Sequence, residues 1–199
     1  NGGSLESGML EKSGGDLARA MVESARGHIE ILNRYGFDDI VLSMKSSDVK
    51  TTISAYRLAR SEFDYPLHIG VTEAGTTEDG IIKSAIGIGS LLADGIGDTI
   101  RVSLTDDPVE EVKAAKLILK ALNLYGDCVN VVSCPTCGRT KIDLIPIANA
   151  INSAVENIHK KLKIAVMGCV VNGPGEAADA DIGIAGGDGC AVLFRKGKS

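Results

Sequence analysis

Hydrophobic side chains recur at three- and four-residue steps over residues 16–35, which predicts an amphipathic helix that ends at Gly36. Continuous apolar runs, typical of buried strands, then alternate with segments that can form helices. Alternation of this kind predicts parallel βα units, and three complete units follow the leading helix. The strands are expected at 39–45, 66–73 and 99–104, and the helices after them at about 48–62, 79–94 and 108–124.

The pattern changes near Gly126. A strand is expected at 128–133, a helix from 142 to about 160, a second strand at 163–167, and two short strands at 181–185 and 190–194. The glycine-rich turn between the last two strands lacks the lysine and the following helix of a phosphate-binding loop, so a tight hairpin is expected there. The pattern therefore divides the chain into a partial βα barrel at 1–126 and a small α+β domain at 127–199.

The number of βα units limits what the first domain can be alone. A TIM-type barrel contains eight units and about 250 residues, whereas only three complete units precede the second domain. A partial barrel of this kind would expose strand edges and an apolar interior. The chain is therefore expected to be the C-terminal part of a larger enzyme, with further substrate contacts in the missing half.

Composition narrows the possible functions. The chain has 199 residues, 44% of them hydrophobic but only 4% aromatic, and a net charge of −5, so no basic or stacking surface for nucleic acid is expected. No apolar run reaches the roughly 18 residues of a membrane span, and a cytoplasmic location is expected. Five cysteines, three of them in metal-like spacing, favour a reducing compartment. The other two, Cys128 and Cys190, are expected to be small buried hydrophobic residues.

Charged residues lie at or near the carboxyl ends of the three predicted barrel strands. Glu73 follows Lys45 by 28 residues and Arg101 follows Glu73 by another 28, one βα unit each time, and Ser103 has the same side-chain direction as Arg101. In a βα barrel this end is the active-site face. Lys45, Arg101 and Ser103 suit a diphosphate, and Glu73 suits a hydroxyl group or a proton transfer. The alternative to a binding site is that these charged residues lie at strand ends that simply emerge into solvent. His68 is expected to be an interior histidine with a satisfied hydrogen bond.

Three cysteines follow apolar runs in the second domain. Cys134 and Cys137 are three positions apart and can bind one metal, and Cys169 follows the next predicted strand. No histidine is close to them in sequence, so Glu176 is the best candidate for a fourth ligand. Three soft sulfurs with one exchangeable oxygen suit a catalytic iron–sulfur cluster. A structural zinc knuckle is the alternative.

These motifs carry a specific resemblance. Cys-Pro-Thr-Cys-Gly-Arg at 134–139 and Gly-Cys-Val-Val-Asn-Gly-Pro-Gly-Glu-Ala at 168–177 resemble the cluster domain of the (E)-4-hydroxy-3-methylbut-2-enyl diphosphate synthase family. The resemblance covers essentially the whole chain, although the family has a longer N-terminal region and a C-terminal tail. It implies a [4Fe–4S] cluster whose ligands are Cys134, Cys137, Cys169 and Glu176.

The resemblance also implies roles for the barrel residues. Lys45, Glu73, Arg101 and Ser103 match substrate-binding positions of the family, with the glutamate close to the reacting carbons. Asn1 matches an asparagine of the substrate site in the loop after a barrel strand. Both Glu73 and Glu176 are therefore expected to take part in catalysis.

The implied reaction is the two-electron reduction of 2-C-methyl-D-erythritol 2,4-cyclodiphosphate, in isoprenoid biosynthesis, with loss of water. Reduced flavodoxin or ferredoxin would supply the electrons. A head-to-tail homodimer would bring the cluster domain of one subunit to the barrel of the other. Two other classes stay open, namely a zinc-binding module that docks a partner, and a barrel with unrelated phosphate-ester chemistry.

Overall fold

The structure is a computed structural model that describes residues 1–171, 175 and 177–196. The chain folds into two compact units, Asn1–Leu124 and Tyr125–Ser199. The first is built from helices and short parallel strands, and the second from a four-stranded sheet with a helix. Among the described residues, no helix is long and apolar enough to cross a membrane.

The first unit contains the predicted alternation of strands and helices. Aspartate side chains begin three of the helices by accepting hydrogen bonds from backbone N–H groups of the first turn, as expected for capping residues. In chain order the elements are a 3₁₀ turn at Gly2–Ser4, α1 at Met9–Lys12, α2 at Leu17–Arg34, α3 at Val49–Glu62, β1 at His68–Gly70, α4 at Thr77–Ala93, β2 at Thr99–Arg101 and α5 at Pro108–Ala121.

The strands of this unit are parallel, as predicted, but shorter than their apolar runs. β1 and β2 pair in parallel with His68 opposite Thr99 and Gly70 opposite Arg101. The run at 39–45 forms a single parallel bridge, from Leu42 to Leu67, and no continuous strand. This arrangement agrees with part of a βα barrel.

A buried tyrosine interrupts pairing between the 39–45 segment and β1. The hydroxyl of Tyr56, on α3, accepts a hydrogen bond from Met44 N–H at 3.0 Å and donates one to the His68 carbonyl at 2.7 Å. Tyr56 is 0% exposed, and burial raises the pKa of its hydroxyl, which therefore keeps its proton. The hydroxyl thus bridges two backbone groups of neighbouring segments, which satisfies both of them without a direct ladder bond.

The hydrophobic core of the first unit lies between the helices and one face of the strands. Successive residues of a strand point to opposite faces, so Ile69 and its neighbour Ile100 face the helices while Gly70 and Arg101 share the other face. Arg101, at the end of β2, therefore lies on the face turned away from this core. The most buried members of the hydrophobic core include Met21, Val22, Tyr56, Ile69, Ile88 and Leu91.

The second unit is a sheet in the order β3-β4-β5-β6. The first three strands are parallel, and β5 and β6 form the antiparallel hairpin predicted from the glycine-rich turn. Phe194 packs over Gly183, where an added Cβ would clash with the ring. The elements are β3 at Val129–Ser133, α6 at Leu144–Val155, β4 at Leu162–Met167, β5 at Ile182–Gly186 and β6 at Ala191–Phe194.

Candidate functional site

Lys45, Gly70 and Arg101 lie side by side on three neighbouring segments of the first unit. The bridge from Leu42 to Leu67 sets the register that brings Lys45 level with Gly70, and Gly70 pairs with Arg101. A Cβ built on Gly70 would lie 2.5 Å from the Arg101 carbonyl oxygen and 3.3 Å from Lys45 Cε. Only a residue without a side chain fits here, and the lysine stem passes directly over it.

Lys45 is a buried cation beside a second cation. The residue is 5% exposed, and among the described residues its ammonium has no ion-pair partner. Burial, and then the charge of Arg101, lower the pKa of Lys45. Two neighbouring cations without a carboxylate are unfavourable in the free protein, and an anion bound between them would relieve this cost.

Arg101 and Ser103 follow the same direction along β2 and contact each other. Arg101 Nε donates a hydrogen bond to Ser103 Oγ at 3.0 Å, which fixes one edge of the guanidinium. Arg101 is exposed, so its terminal nitrogens can donate to a phosphate oxygen. The structure therefore brings together three of the residues predicted for substrate binding, Lys45, Arg101 and Ser103.

Glu73 lies in the turn that follows β1. Its side chain is exposed, and its backbone is in the left-handed region with φ of 51°. This conformation is uncommon for residues other than glycine and costs of the order of 1–2 kcal/mol. In the described part of the chain, no hydrogen bond or ion pair joins Glu73 to Lys45 or Arg101. The proximity that the sequence predicts for this carboxylate stays a prediction.

The start of the chain lies at the same strand end. Gly2 N–H donates a hydrogen bond to the Lys45 carbonyl at 3.1 Å, and the following turn closes through Ser4 N–H to the Asn1 carbonyl at 3.0 Å. Asn1 is exposed. The loop that carries Asn1 is therefore joined to the lysine segment, whereas no side-chain bond from Asn1 is found within the described residues.

His68 and Thr99 form a polar pair two residues before Gly70 and Arg101, on the same face of the two strands. His68 Nδ1 is 2.8 Å from Thr99 Oγ1, so the predicted hydrogen bond is present, but the residue is half-buried and not an interior one. Burial first, and then the charges of Lys45 and Arg101, lower the pKa of His68, so the imidazole is neutral at pH 7. Sequence reasoning missed Gly70 and Thr99 as parts of this face, although the two-residue period of the strands identifies both.

Two loops of the second unit, which we call the thiol loops, carry the predicted cysteine ligands and meet around Gly168. One follows β3 and contains Cys134 and Cys137, and the other follows β4 and contains Cys169. β3 and β4 are parallel, with Ser133 opposite Val166, so the segments after them leave the same edge of the sheet. Gly168 N–H donates to Cys134 Sγ at 3.1 Å, and the next residue is Cys169. The thiols predicted to act together thus come from two loops that are in direct contact.

Cys137 is the most exposed of these three thiols. It is exposed, and a backbone hydrogen bond with Arg139 lowers the pKa of its thiol, with a smaller contribution from Thr140. A lowered pKa favours the thiolate, the form that binds metals.

The donor set fits a soft metal group. All three thiols are free, and three sulfurs with few nearby histidines suit an iron–sulfur cluster or zinc. Glu176, the predicted fourth ligand, lies outside the described residues. Within those residues, no three histidine, cysteine or acidic side chains are already arranged as a metal site.

The two remaining cysteines do not fit the expectation of burial equally well. Cys128, just before β3, is half-buried, whereas Cys190 is exposed. The prediction of a buried Cys190 was wrong because this residue lies in the β5–β6 turn. Its carbonyl accepts a hydrogen bond from Gly187 N–H at 2.8 Å, and the turn holds its side chain at the surface.

The fold and the site together define the class of this protein. It combines part of a parallel βα barrel, which has a cationic site at its strand ends, with a sheet domain that carries thiols. Its sequence matches the GcpE TIM-barrel domain over residues 1–116 and the GcpE protein C-terminal domain over residues 130–199. The chain belongs to the GcpE family.

Three curated relatives share one enzyme name. The chain is 60% identical over 198 residues to 4-hydroxy-3-methylbut-2-en-1-yl diphosphate synthase (flavodoxin) of Clostridium tetani, and 61% identical to the protein of that name from Caldanaerobacter subterraneus. The protein of that name from Geobacter sulfurreducens is 59% identical. Each match covers 100% of this chain but only 56–57% of the relative. The chain therefore spans a little over half the length of these relatives.

Proposed function

We propose that this chain acts as part of a 4-hydroxy-3-methylbut-2-en-1-yl diphosphate synthase, an oxidoreductase of isoprenoid biosynthesis. The substrate would be 2-C-methyl-D-erythritol 2,4-cyclodiphosphate, opened and reduced by two electrons with loss of water. Membership of the GcpE family and the name shared by the relatives support the reaction. The observation that carries the proposal is Lys45 beside Arg101: the lysine is buried, has no ion-pair partner within the described part of the chain, suits a diphosphate and is costly without one.

The cationic face would hold the diphosphate. Lys45 contributes a point charge from within the face, and the exposed guanidinium of Arg101 contributes forked donors. Ser103 accepts the hydrogen bond of Arg101 Nε, and its own hydroxyl hydrogen is available to a phosphate oxygen. Gly70 allows the Lys45 stem to lie against the strand beside the Arg101 backbone, and the charge of Arg101 acts on the Lys45 ammonium.

Glu73 and Asn1 would act on the rest of the substrate. The exposed carboxylate of Glu73 stands on a strained turn at the end of β1, and such strain is often found at functional sites. Its task would be to bind a hydroxyl group or to transfer a proton near the reacting carbons. Asn1 would contact the substrate from the loop that is bonded to the Lys45 carbonyl.

Cys134, Cys137, Cys169 and Glu176 would hold a [4Fe–4S] cluster. When bound, this group supplies the electrons, one at a time, that it receives from reduced flavodoxin or ferredoxin. The chain's own contribution is to present thiolates from two contacting loops and a replaceable carboxylate oxygen. The Gly168 N–H that is bonded to Cys134 Sγ stabilises negative charge on that sulfur.

The two units would divide the work. Residues 1–126 would bind the substrate and residues 127–199 would carry the cluster. A head-to-tail homodimer would let the cluster domain of one subunit act on the barrel of another. If a dilute monomer were fully active, the dimer part of the proposal would be wrong.

The test is an anaerobic assay of cyclodiphosphate consumption with reduced flavodoxin, comparing wild type with Lys45→Met and Glu73→Gln. We expect Lys45→Met to raise KM, because a ligand of the diphosphate is lost. Glu73→Gln should keep the visible spectrum and lower kcat. Turnover without any reductant, or unchanged kinetics in both variants, would contradict the proposed function.

A further inference from the structure

Thr140 lies between the two thiol loops and contacts both. Its backbone N–H donates to the Cys137 carbonyl at 3.0 Å, and the next residue, Lys141, donates to the Gly168 carbonyl at 2.8 Å. A Cβ built on Gly168 would lie 3.0 Å from both Thr140 Cγ2 and Oγ1. The side chain therefore packs directly against the residue that precedes Cys169.

The hydroxyl of Thr140 makes two contacts with Cys137. Oγ1 accepts a hydrogen bond from Cys137 N–H at 3.1 Å and lies 4.0 Å from Cys137 Sγ. A hydroxyl has a single hydrogen, and accepting the N–H bond leaves that hydrogen free to be donated. Among the described residues, the acceptor within reach is the Cys137 sulfur.

We propose that Thr140 is a positioning residue that donates a hydrogen bond to the Cys137 sulfur and thereby raises the reduction potential of the metal group bound there. The inference rests on the cluster assigned under the proposed function. Reduction adds negative charge that is shared by the ligand sulfurs, and a hydrogen bond to a sulfur stabilises the more negative state. Loss of the bond should therefore make reduction harder.

Gly168 supplies the corresponding contact for the other loop, since its N–H donates to Cys134 Sγ. A backbone donor survives substitution, whereas the Thr140 hydroxyl can be removed or restored by choice of side chain. Thr140→Val keeps the shape and deletes the hydroxyl, and Thr140→Ser keeps the hydroxyl. Thr136→Val is the matched control, because Thr136 is exposed in the same loop and makes no hydrogen bond within the described residues.

The experiment is a redox titration of the anaerobically loaded protein, followed by visible absorption and electron paramagnetic resonance, with iron and sulfide measured on each sample. We expect Thr140→Val to lower the ratio of reduced to oxidised cluster at a fixed potential by about two- to tenfold, the effect of one hydrogen bond. Thr140→Ser should return most of the shift, and Thr136→Val should match wild type. A loaded Thr140→Val protein with the wild-type potential would overturn the inference and leave the proposed function intact.

A second measurement needs no variant. Hydroxyl hydrogens exchange quickly in D2O, so electron–nuclear double resonance of the reduced wild-type cluster should contain a coupled proton signal that is lost within minutes. Absence of any quickly exchanging coupled proton would refute the inference even if Thr140→Val fails to take up the cluster. If the wild-type protein instead holds zinc and no sulfide, the proposed function itself fails.

Discussion

Replacing Tyr56 by phenylalanine tests how the lysine segment is held. The substitution deletes one oxygen and leaves two backbone groups, the buried Met44 N–H and the partly buried His68 carbonyl, without their present partner. A buried polar group that loses its partner costs about 1–3 kcal/mol. Because the segments can close part of the gap, we expect a total loss of about 2–4 kcal/mol in the free energy of unfolding. Lys45 follows Met44 directly, so substrate affinity should also fall.

Denaturant unfolding and amide hydrogen exchange measure these effects. Tyr65→Phe is the matched control, because the Tyr65 hydroxyl bonds Asn33 Oδ1 at 3.3 Å on the surface. The control should change stability by less than about 0.5 kcal/mol. In Tyr56→Phe the Met44 amide should exchange faster than in wild type. Equal stability of the two variants, with normal protection of Met44, would refute the bridging role of Tyr56.

Three further predictions concern the cationic face. Gly70→Ala should weaken diphosphate binding and cost about 1–3 kcal/mol of stability, because its Cβ would be 2.5 Å from the Arg101 carbonyl oxygen. Gly27→Ala, at an open position inside α2, should instead raise stability by up to about 1 kcal/mol because alanine favours the helix, and a Gly70→Ala variant as stable as wild type would refute the clash. Because its pKa is lowered, Lys45 should lose its positive charge at a lower pH than an ordinary lysine does. Pyrophosphate affinity, measured by calorimetry as the pH is raised, should therefore fall at that lower pH. Lys45→Arg should lack this fall, because arginine keeps its charge. The lowered pKa also means that the folded chain binds the Lys45 proton less tightly than the unfolded chain does, so the buried charge lowers the stability of the fold. Lys45→Met removes this cost and should raise the free energy of unfolding at neutral pH when no anion is bound. A loss of stability would contradict the buried-charge argument.

The sequence predicts helices and strand directions well, because hydrophobic period and capping residues act locally. Lys45 and Arg101 are 56 residues apart, two βα units, and the prediction that they lie close together agrees with the structure, although the residue level with both of them is Gly70 and not Glu73. The interruption at Met44 could not be predicted, because it depends on where α3 delivers the Tyr56 hydroxyl.

Close approaches and side-chain donors were the features that sequence reasoning missed. In the sequence Gly70 looks like an ordinary strand residue. Only the structure shows that a Cβ at this position would collide with the Arg101 carbonyl oxygen and contact the Lys45 stem. Thr140 lies outside the cysteine motif, and its contact with Gly168 depends on how two loops meet. The predicted helix at 142–160 ends at Val155, after which the chain turns towards β4 through exposed and mostly polar residues.

Anaerobic iron and sulfide analysis with a visible absorption spectrum, on wild type and Glu176→Ala, tests the central claim most directly. The proposed function predicts iron with matching sulfide and a broad visible band, and it predicts that loss of the carboxylate ligand alters or removes that band. Zinc bound at about one per chain through the three thiols, without sulfide and indifferent to Glu176, would contradict it.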